Sequence, residues 1–84
     1  MKVLWSENSW KQMLYWAKND KRMLARIINL IDAIEKDPFD GIGKPEGLKN
    51  NLSGFWSRRI NDEHRLVYKV TDEVIQIIQV RYHY

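Results

Sequence analysis

Residues 74–84 read Val74-Ile75-Gln76-Ile77-Ile78-Gln79-Val80-Arg81-Tyr82-His83-Tyr84. Residues 74–80 are rich enough in β-branched and apolar types to predict an inner strand of a sheet. The pattern then changes to types that suit a buried strand poorly. If the strand continues to His83, alternation places Arg81 and His83 on one face and Tyr82 with Tyr84 on the other. We therefore expect the end of this strand to form one wall of a functional site.

Two further strands are predicted just before it. Residues 55–60 and 65–70 alternate with a period of two, and the residues that follow each run are turn-like. With the final strand they predict an antiparallel meander. Within it, Arg59 and Arg65 fall on the same face as Ser57 and Val67, and we expect Arg81 and His83 to gather with them.

The first third of the chain predicts a short strand and two helices. The strand covers residues 3–5. An amphipathic helix then runs from Glu7 to Lys18, with Ser6 as its N-cap. Asp20 begins a second helix, which Pro38 ends. The expected fold class is α+β, with two N-terminal helices packed on one face of a mostly antiparallel sheet.

Composition limits the class of protein further. The 84 residues predict one domain, spanning 1–84, and the lack of cysteine fits a reducing compartment. No segment resembles a signal peptide or reaches membrane length, so we expect a cytoplasmic protein with no membrane contact. The net charge of +3 permits an anionic partner such as nucleic acid without requiring one. Basic residues on the helices could touch RNA phosphates or simply form a solvated face: Lys18, Lys21, Arg22 and Arg26.

Residues 38–54 predict a long loop that holds both prolines and all four glycines. Loops of this length in small domains are usually functional or mobile. Glu46 lies between Pro45 and Gly47, and Lys49 follows three residues later. Glu46 is either a surface acid or the acid–base group of a site.

The sequence lacks the residues that several kinds of catalytic site require. Zinc would need clustered Cys or His, and a two-metal nuclease would need clustered carboxylates. Neither a phosphate-binding glycine loop nor a serine triad is evident. What remains fits ribonuclease chemistry without a metal or other cofactor, because RNA carries its own nucleophile in the 2′-hydroxyl. In that reading Glu46 is the base, His83 the acid, and Arg65 with Arg81 or Lys49 the cations, while Tyr84 or Tyr82 stacks on a base.

The chain closely resembles the YoeB/Txe toxins, a branch of the RelE-like family of bacterial toxin–antitoxin systems. The resemblance covers essentially the whole sequence and is carried by these blocks: Trp5-Ser6-Glu7, Asp20-Lys21-Arg22, Gly43-Lys44-Pro45-Glu46, Leu48-Lys49, Asn51 to Ile60, Glu63-His64-Arg65-Leu66-Val67-Tyr68 and Arg81-Tyr82-His83-Tyr84.

This resemblance implies a RelE-like, microbial-ribonuclease-like fold in which two helices pack on an antiparallel sheet. It also implies a toxin that enters the ribosomal A site and cleaves translating mRNA there without metal. It implies Glu46 as general base, His83 as general acid and Arg65 as transition-state stabiliser, with Lys49 and Tyr84 assisting. Arg59, Arg81 and Tyr82 are expected to bind RNA beside them. The implied partners are a YefM/Axe-like antitoxin, the ribosome (30S or 70S), mRNA, operator DNA reached only through the toxin–antitoxin complex, and a second copy of the chain in a homodimer.

Two alternatives stay open on the residues alone. A non-catalytic RNA- or ribosome-binding module could block translation by occupancy, and it would need the cations but neither Glu46 nor His83. A structural or antitoxin-like partner protein would need none of these residues, and packing would then not explain the basic and aromatic strand end.

Overall fold

The computed structural model describes residues 1–82. Five strands and two helices form its framework. Their order and bounds are β1 Lys2–Trp5, α1 Glu7–Asn19, α2 Lys21–Lys36, β2 Glu46–Gly47, β3 Trp56–Arg59, β4 Arg65–Thr71 and β5 Val74–Gln79, with a short 3₁₀ helix at Asn50–Leu52. The two helices and the strands β1, β3, β4 and β5 confirm the predicted elements, with small changes at their ends.

The strands form one sheet in the order β1-β5-β4-β3-β2. Strands β2 to β5 pair antiparallel, which confirms the meander, whereas β1 pairs parallel with β5 from Lys2 opposite Val74 to Trp5 opposite Ile77. The predicted α+β class is therefore correct.

Both helices cover the same face of the sheet. Their apolar stripes meet the inward residues of β4 and β5 in one core, whose fully buried members are Ile27, Leu30, Ile34, Leu66, Tyr68, Ile75, Ile77 and Val80. Each helix begins at a side-chain cap: Ser6 Oγ accepts from the Ser9 N–H, and Asp20 accepts from the N–H groups of Arg22 and Met23. No helix within residues 1–82 is long and apolar enough to cross a membrane.

The long loop of residues 38–54 contains more order than the sequence predicts. Glu46 and Gly47 form the edge strand β2 opposite Ser57 and Trp56, and a 3₁₀ turn follows. A buried arginine holds the first half of this segment: the Arg58 guanidinium donates to the carbonyls of Asp37, Asp40 and Ile42 at 2.6, 2.9 and 3.0 Å. Arg58 is wholly buried. Its contacts fix the path by which the chain approaches Glu46.

The final strand is shorter than predicted. β5 ends at Gln79, so Val80, Arg81 and Tyr82 lie outside any strand, and the predicted alternation does not extend to Arg81 and Tyr82. The register against β4 is already shifted, since Tyr68 pairs with Ile77 but Val67 pairs with Gln79, and on its other side β5 has no β1 partner beyond Ile77.

Where β1 no longer pairs with the chain, side chains of helix α1 form hydrogen bonds with its backbone instead. Ser9 Oγ donates to the Ile77 carbonyl at 2.7 Å, Gln12 Oε1 accepts from the Val80 N–H at 2.8 Å, and Trp16 Nε1 donates to the Val80 carbonyl at 2.8 Å. These three residues share one face of the helix.

Candidate functional site

The face of the sheet opposite the helices, which we call the open face, carries the predicted base. Glu46 pairs with Ser57, Ser57 with Val67, and Val67 with Gln79, so one row of side chains crosses four strands. A Cβ on Gly47 would meet the Trp56 ring at 3.6 Å on the helix-covered side, which confirms that its neighbour Glu46 points to the open face.

Two cations occupy the next row. Arg59 and Arg65 are opposite each other on β3 and β4, and both are on the open face because Arg58 and Leu66 beside them are buried beneath the helices. Sheet spacing puts the backbones of Glu46 and Arg65 roughly 12 Å apart, a span that a carboxylate and a guanidinium can bridge with an RNA phosphate between them. The sequence prediction that Arg59 and Arg65 share a face is correct.

Lys49 lies near Glu46, the predicted base. A shallow groove at the sheet edge is lined by Glu46, Gly47, Leu48, Lys49, Asn50 and Leu52. Both Glu46 and Lys49 are exposed, so each can meet a ligand that enters the groove.

Arg81 does not gather with the other cations, contrary to expectation. Its guanidinium lies 3.5 Å from the centroid of the Tyr15 ring and 4.6 Å from that of Tyr82, on the side of helix α1. Within residues 1–82, its buried Nε has no hydrogen-bond partner. The early end of β5 explains this placement, because Arg81 lies in a bend where strand alternation no longer applies.

Tyr82 is exposed, and its backbone contacts the start of β4. Its carbonyl accepts from the Arg65 N–H at 3.0 Å and from Gln79 Nε2 at 3.1 Å. Its φ of +70° lies in the left-handed region that non-glycine residues seldom adopt. The predicted acid His83 and the predicted stacking residue Tyr84 lie outside the described residues.

The structure adds polar residues that sequence reasoning missed. Ser57 lies beside Glu46 with its Oγ buried and without a hydrogen-bond partner in the part of the chain described. His64, predicted only as part of a turn, accepts from the Tyr82 N–H through Nδ1 at 2.7 Å. The signal available for His64 was its place directly before Arg65, which by itself does not distinguish a turn residue from a site residue.

The basic residues of the helices differ in their surroundings. Lys18, Lys21 and Arg22 are exposed, whereas Arg26 Nε donates to the Ile60 carbonyl at 3.3 Å. Within residues 1–82, no three His, Cys, Asp or Glu side chains come together as a metal site would require.

Comparison with known proteins identifies the class of protein to which this chain belongs. Residues 5–84 match the family model described as the YoeB-like toxin of bacterial type II toxin–antitoxin system. Toxin YoeB of Escherichia coli (strain K12) is 58% identical over 84 residues, and the match covers 100% of both chains. Toxin YoeB of Synechocystis is 60% identical, with 100% of this chain and 98% of that chain covered.

Solved structures agree with the sequence matches. A YoeB/ParE toxin from Agrobacterium tumefaciens has a TM-score of 0.98 at 44% identity, with 100% of both chains covered. Two structures from Staphylococcus aureus each have a TM-score of 0.94, and each match covers 100% of this chain and 98% of that chain. They are a YoeB–YefM complex at 44% identity and a YoeB dimer at 45% identity. The fold and the matches together define a toxin of a bacterial type II toxin–antitoxin system. Within that class, the chain belongs to the YoeB-like toxin family.

Proposed function

We propose that this toxin is a metal-independent ribonuclease that enters the ribosomal A site and cleaves the mRNA bound there. The observation that carries the proposal is the arrangement of the open face. An exposed carboxylate, Glu46, shares a groove with Lys49 and lies one row from the Arg59–Arg65 pair. A base beside concentrated positive charge is what cleavage through the 2′-hydroxyl requires.

The reaction assigns one role to each group. Glu46 removes the 2′-hydroxyl proton, the 2′-oxygen forms a bond to phosphorus, and the bond from phosphorus to the 5′-oxygen breaks. His83 donates the proton that the departing 5′-oxygen takes up, which leaves a 2′,3′-cyclic phosphate and a 5′-hydroxyl. Arg65 stabilises the negative charge that develops on the phosphoryl oxygens, and Lys49 and Arg59 bind neighbouring phosphates.

Aromatic residues supply the contact with bases. Tyr82 is 53% exposed, so its ring is accessible for stacking on an unpaired base. Tyr84 is the second candidate for that contact and assists at the reacting phosphate. Arg81 acts with them by fixing the ring of Tyr82, against which its guanidinium lies.

The partners follow from the family. The Staphylococcus aureus relatives support a YefM-type antitoxin that covers the site, and a homodimer. Operator DNA would be contacted only through the toxin–antitoxin complex, and the site of action is the cytoplasm, where translating ribosomes are found.

The test is to map mRNA 5′ ends in a reconstituted translation mixture. Wild type should produce new ends at the A-site codon, and Glu46→Gln and His83→Gln should not, although both should still bind ribosomes. Glu73→Gln is a matched control, because Glu73 is an exposed acid in the turn between β4 and β5 and lies outside the open face. It should cleave like wild type.

Two results would contradict the proposal. Arrested translation with intact mRNA in every variant would mean that the protein acts by occupancy alone. Cleavage that continues in Glu46→Gln and His83→Gln at the wild-type rate would remove these residues as base and acid.

A further inference from the structure

The backbone of residues 80–82 is held by side chains from two distant elements. Val80 is bonded at both its N–H and its carbonyl by Gln12 and Trp16 of α1. Tyr82 donates its N–H to His64 Nδ1 at 2.7 Å, and its carbonyl accepts from the Arg65 N–H. We call Gln12, Trp16 and His64 the clamp.

Two of the clamp residues also touch each other. The rings of Trp16 and His64 meet edge to face, with centroids 4.9 Å apart and planes 78° apart. Trp16 therefore binds the backbone just before Arg81, and His64 binds it just after. The Arg81 side chain stacks on Tyr15, the residue next to Trp16.

We propose that His64 is a positioning residue: through Nδ1 it holds in its left-handed conformation the backbone of Tyr82, the residue that directly precedes the predicted acid His83 in the sequence. The catalytic part of this inference rests on the proposed function, since it matters only if His83 delivers a proton. The structural part stands without it.

The chemistry of the ring makes the role specific. A ring nitrogen that accepts a hydrogen bond carries no proton, so a neutral His64 keeps its hydrogen on Nε2. Tyr82 has a positive φ, which costs conformational free energy and persists only where surrounding contacts hold it. The hydrogen bond from Tyr82 to His64 offsets this cost. A residue that merely filled space against Trp16 would need the ring and not the acceptor.

Two substitutions distinguish the role of Nδ1 as a hydrogen-bond acceptor from the packing of the His64 ring against Trp16. In His64→Asn the amide Oδ1 takes the place of Nδ1 and can accept from Tyr82, whereas His64→Phe keeps a ring against Trp16 and removes the acceptor. Amide hydrogen exchange at Tyr82 should accelerate about tenfold in His64→Phe and stay near wild type in His64→Asn.

Cleavage kinetics then test the catalytic part in the ribosome assay. His64→Phe should lower kcat about tenfold with KM nearly unchanged, and His64→Asn should restore most of the rate, since a bond of this kind corresponds to about one decade. Equal kcat in wild type and His64→Phe, with Tyr82 exchange accelerated, would overturn the catalytic role. Slow Tyr82 exchange in His64→Phe would overturn the clamp itself.

A measurement on the unsubstituted protein decides the matter if His64→Phe does not fold. With uniform ¹⁵N labelling, an N–H···N hydrogen bond transmits a nitrogen–nitrogen coupling, here between the Tyr82 amide and His64 Nδ1. Detection of that coupling, with the ring hydrogen on Nε2, is the expected result. A ring hydrogen on Nδ1 would overturn the inference. Absence of mRNA cleavage by wild type would refute the proposed function and leave the coupling result unaffected.

Discussion

Arg59 and Arg65 lie directly opposite each other on neighbouring strands, both on the open face. Like charges directly opposite each other are unfavourable in a sheet, and under the proposed function an RNA phosphate between the two side chains would offset that cost. The two residues differ in surroundings, since Arg59 is exposed and Arg65 is half-buried beside the backbone of Tyr82. This difference predicts different kinetic roles.

Replacing Arg65 should impair the chemical step. We expect Arg65→Ala to lower kcat by about 10²–10³, the loss typical of removing one preorganised transition-state contact. Arg59→Ala should mainly weaken mRNA binding and flatten its salt dependence. Single-turnover cleavage on stalled ribosomes at several salt concentrations measures both effects, and an unchanged turnover rate in Arg65→Ala would transfer its role to another cation.

Arg58 should be essential for stability, in contrast to its neighbour. Arg58→Met leaves the carbonyls of Asp37, Asp40 and Ile42 and the Tyr68 hydroxyl without their donor, and we expect a loss of about 3 kcal/mol or more in the free energy of unfolding. Arg59→Met, at the adjacent exposed position, should change it by about 0.5 kcal/mol at most. Urea unfolding compares the two. A loss below about 1 kcal/mol in Arg58→Met would contradict this account of the loop.

Ser9 and Ser57 form a second matched pair, because both are wholly buried. Ser9 Oγ is bonded to the Ile77 carbonyl, whereas Ser57 Oγ has no partner within residues 1–82. We expect Ser9→Ala to cost about 1–3 kcal/mol of stability and Ser57→Ala to be neutral or stabilising. Thermal unfolding tests this. A large loss in Ser57→Ala would mean that its hydroxyl has a partner in the folded protein.

Gly43 should tolerate no side chain. Its φ is +84°, its carbonyl accepts from the Arg59 N–H, and an added Cβ would lie 2.8 Å from Leu30 Cδ2. Gly54 has a similar φ of +92°, with only Lys69 Cε near, at 3.9 Å. Gly54→Ala should therefore cost about 1–2 kcal/mol from backbone strain, and Gly43→Ala about 2–5 kcal/mol because overpacking adds to that strain. Equal losses in the two variants would show that crowding at Gly43 is relieved without cost.

Tyr68 predicts how stability changes at alkaline pH. Burial raises the pKa of the Tyr68 phenol above its ordinary value of 10.0, although the hydrogen bond and charge of Arg58 act in the opposite direction. Above pH 10.0 the unfolded chain releases this proton while the folded chain retains it, so stability falls as pH rises. The excess stability of wild type over Tyr68→Phe should therefore shrink as the pH rises above 10.0, which urea unfolding at a series of pH values would measure. A constant difference would contradict the raised pKa.

Local pattern was enough to predict the framework. Period-two alternation placed Arg59 and Arg65 on one face, and the cap at Asp20 located the start of α2, because both follow from backbone geometry that each segment imposes on itself. The α+β class followed from the need of two amphipathic helices to cover a sheet.

What could not be predicted depends on contacts distant in sequence. The edge strand at Glu46 consists of two residues between a proline and the start of a turn, and it exists only because β3 pairs with it. Arg81 was assigned to the wrong side because the register shift between β4 and β5 and the early end of β5 cannot be seen in the local pattern of residues 74–84. The burial of Arg58 likewise depends on carbonyls that no local pattern reveals.

The parallel pairing of β1 with β5 has a consequence for synthesis. Residues 2–5 cannot complete the sheet until residues 74–77 are available, so nearly the whole chain must leave the ribosome before the open face and its backing core exist together. Under the proposed function, a chain that is still being synthesised would therefore lack the finished site until residues 74–77 pair with residues 2–5.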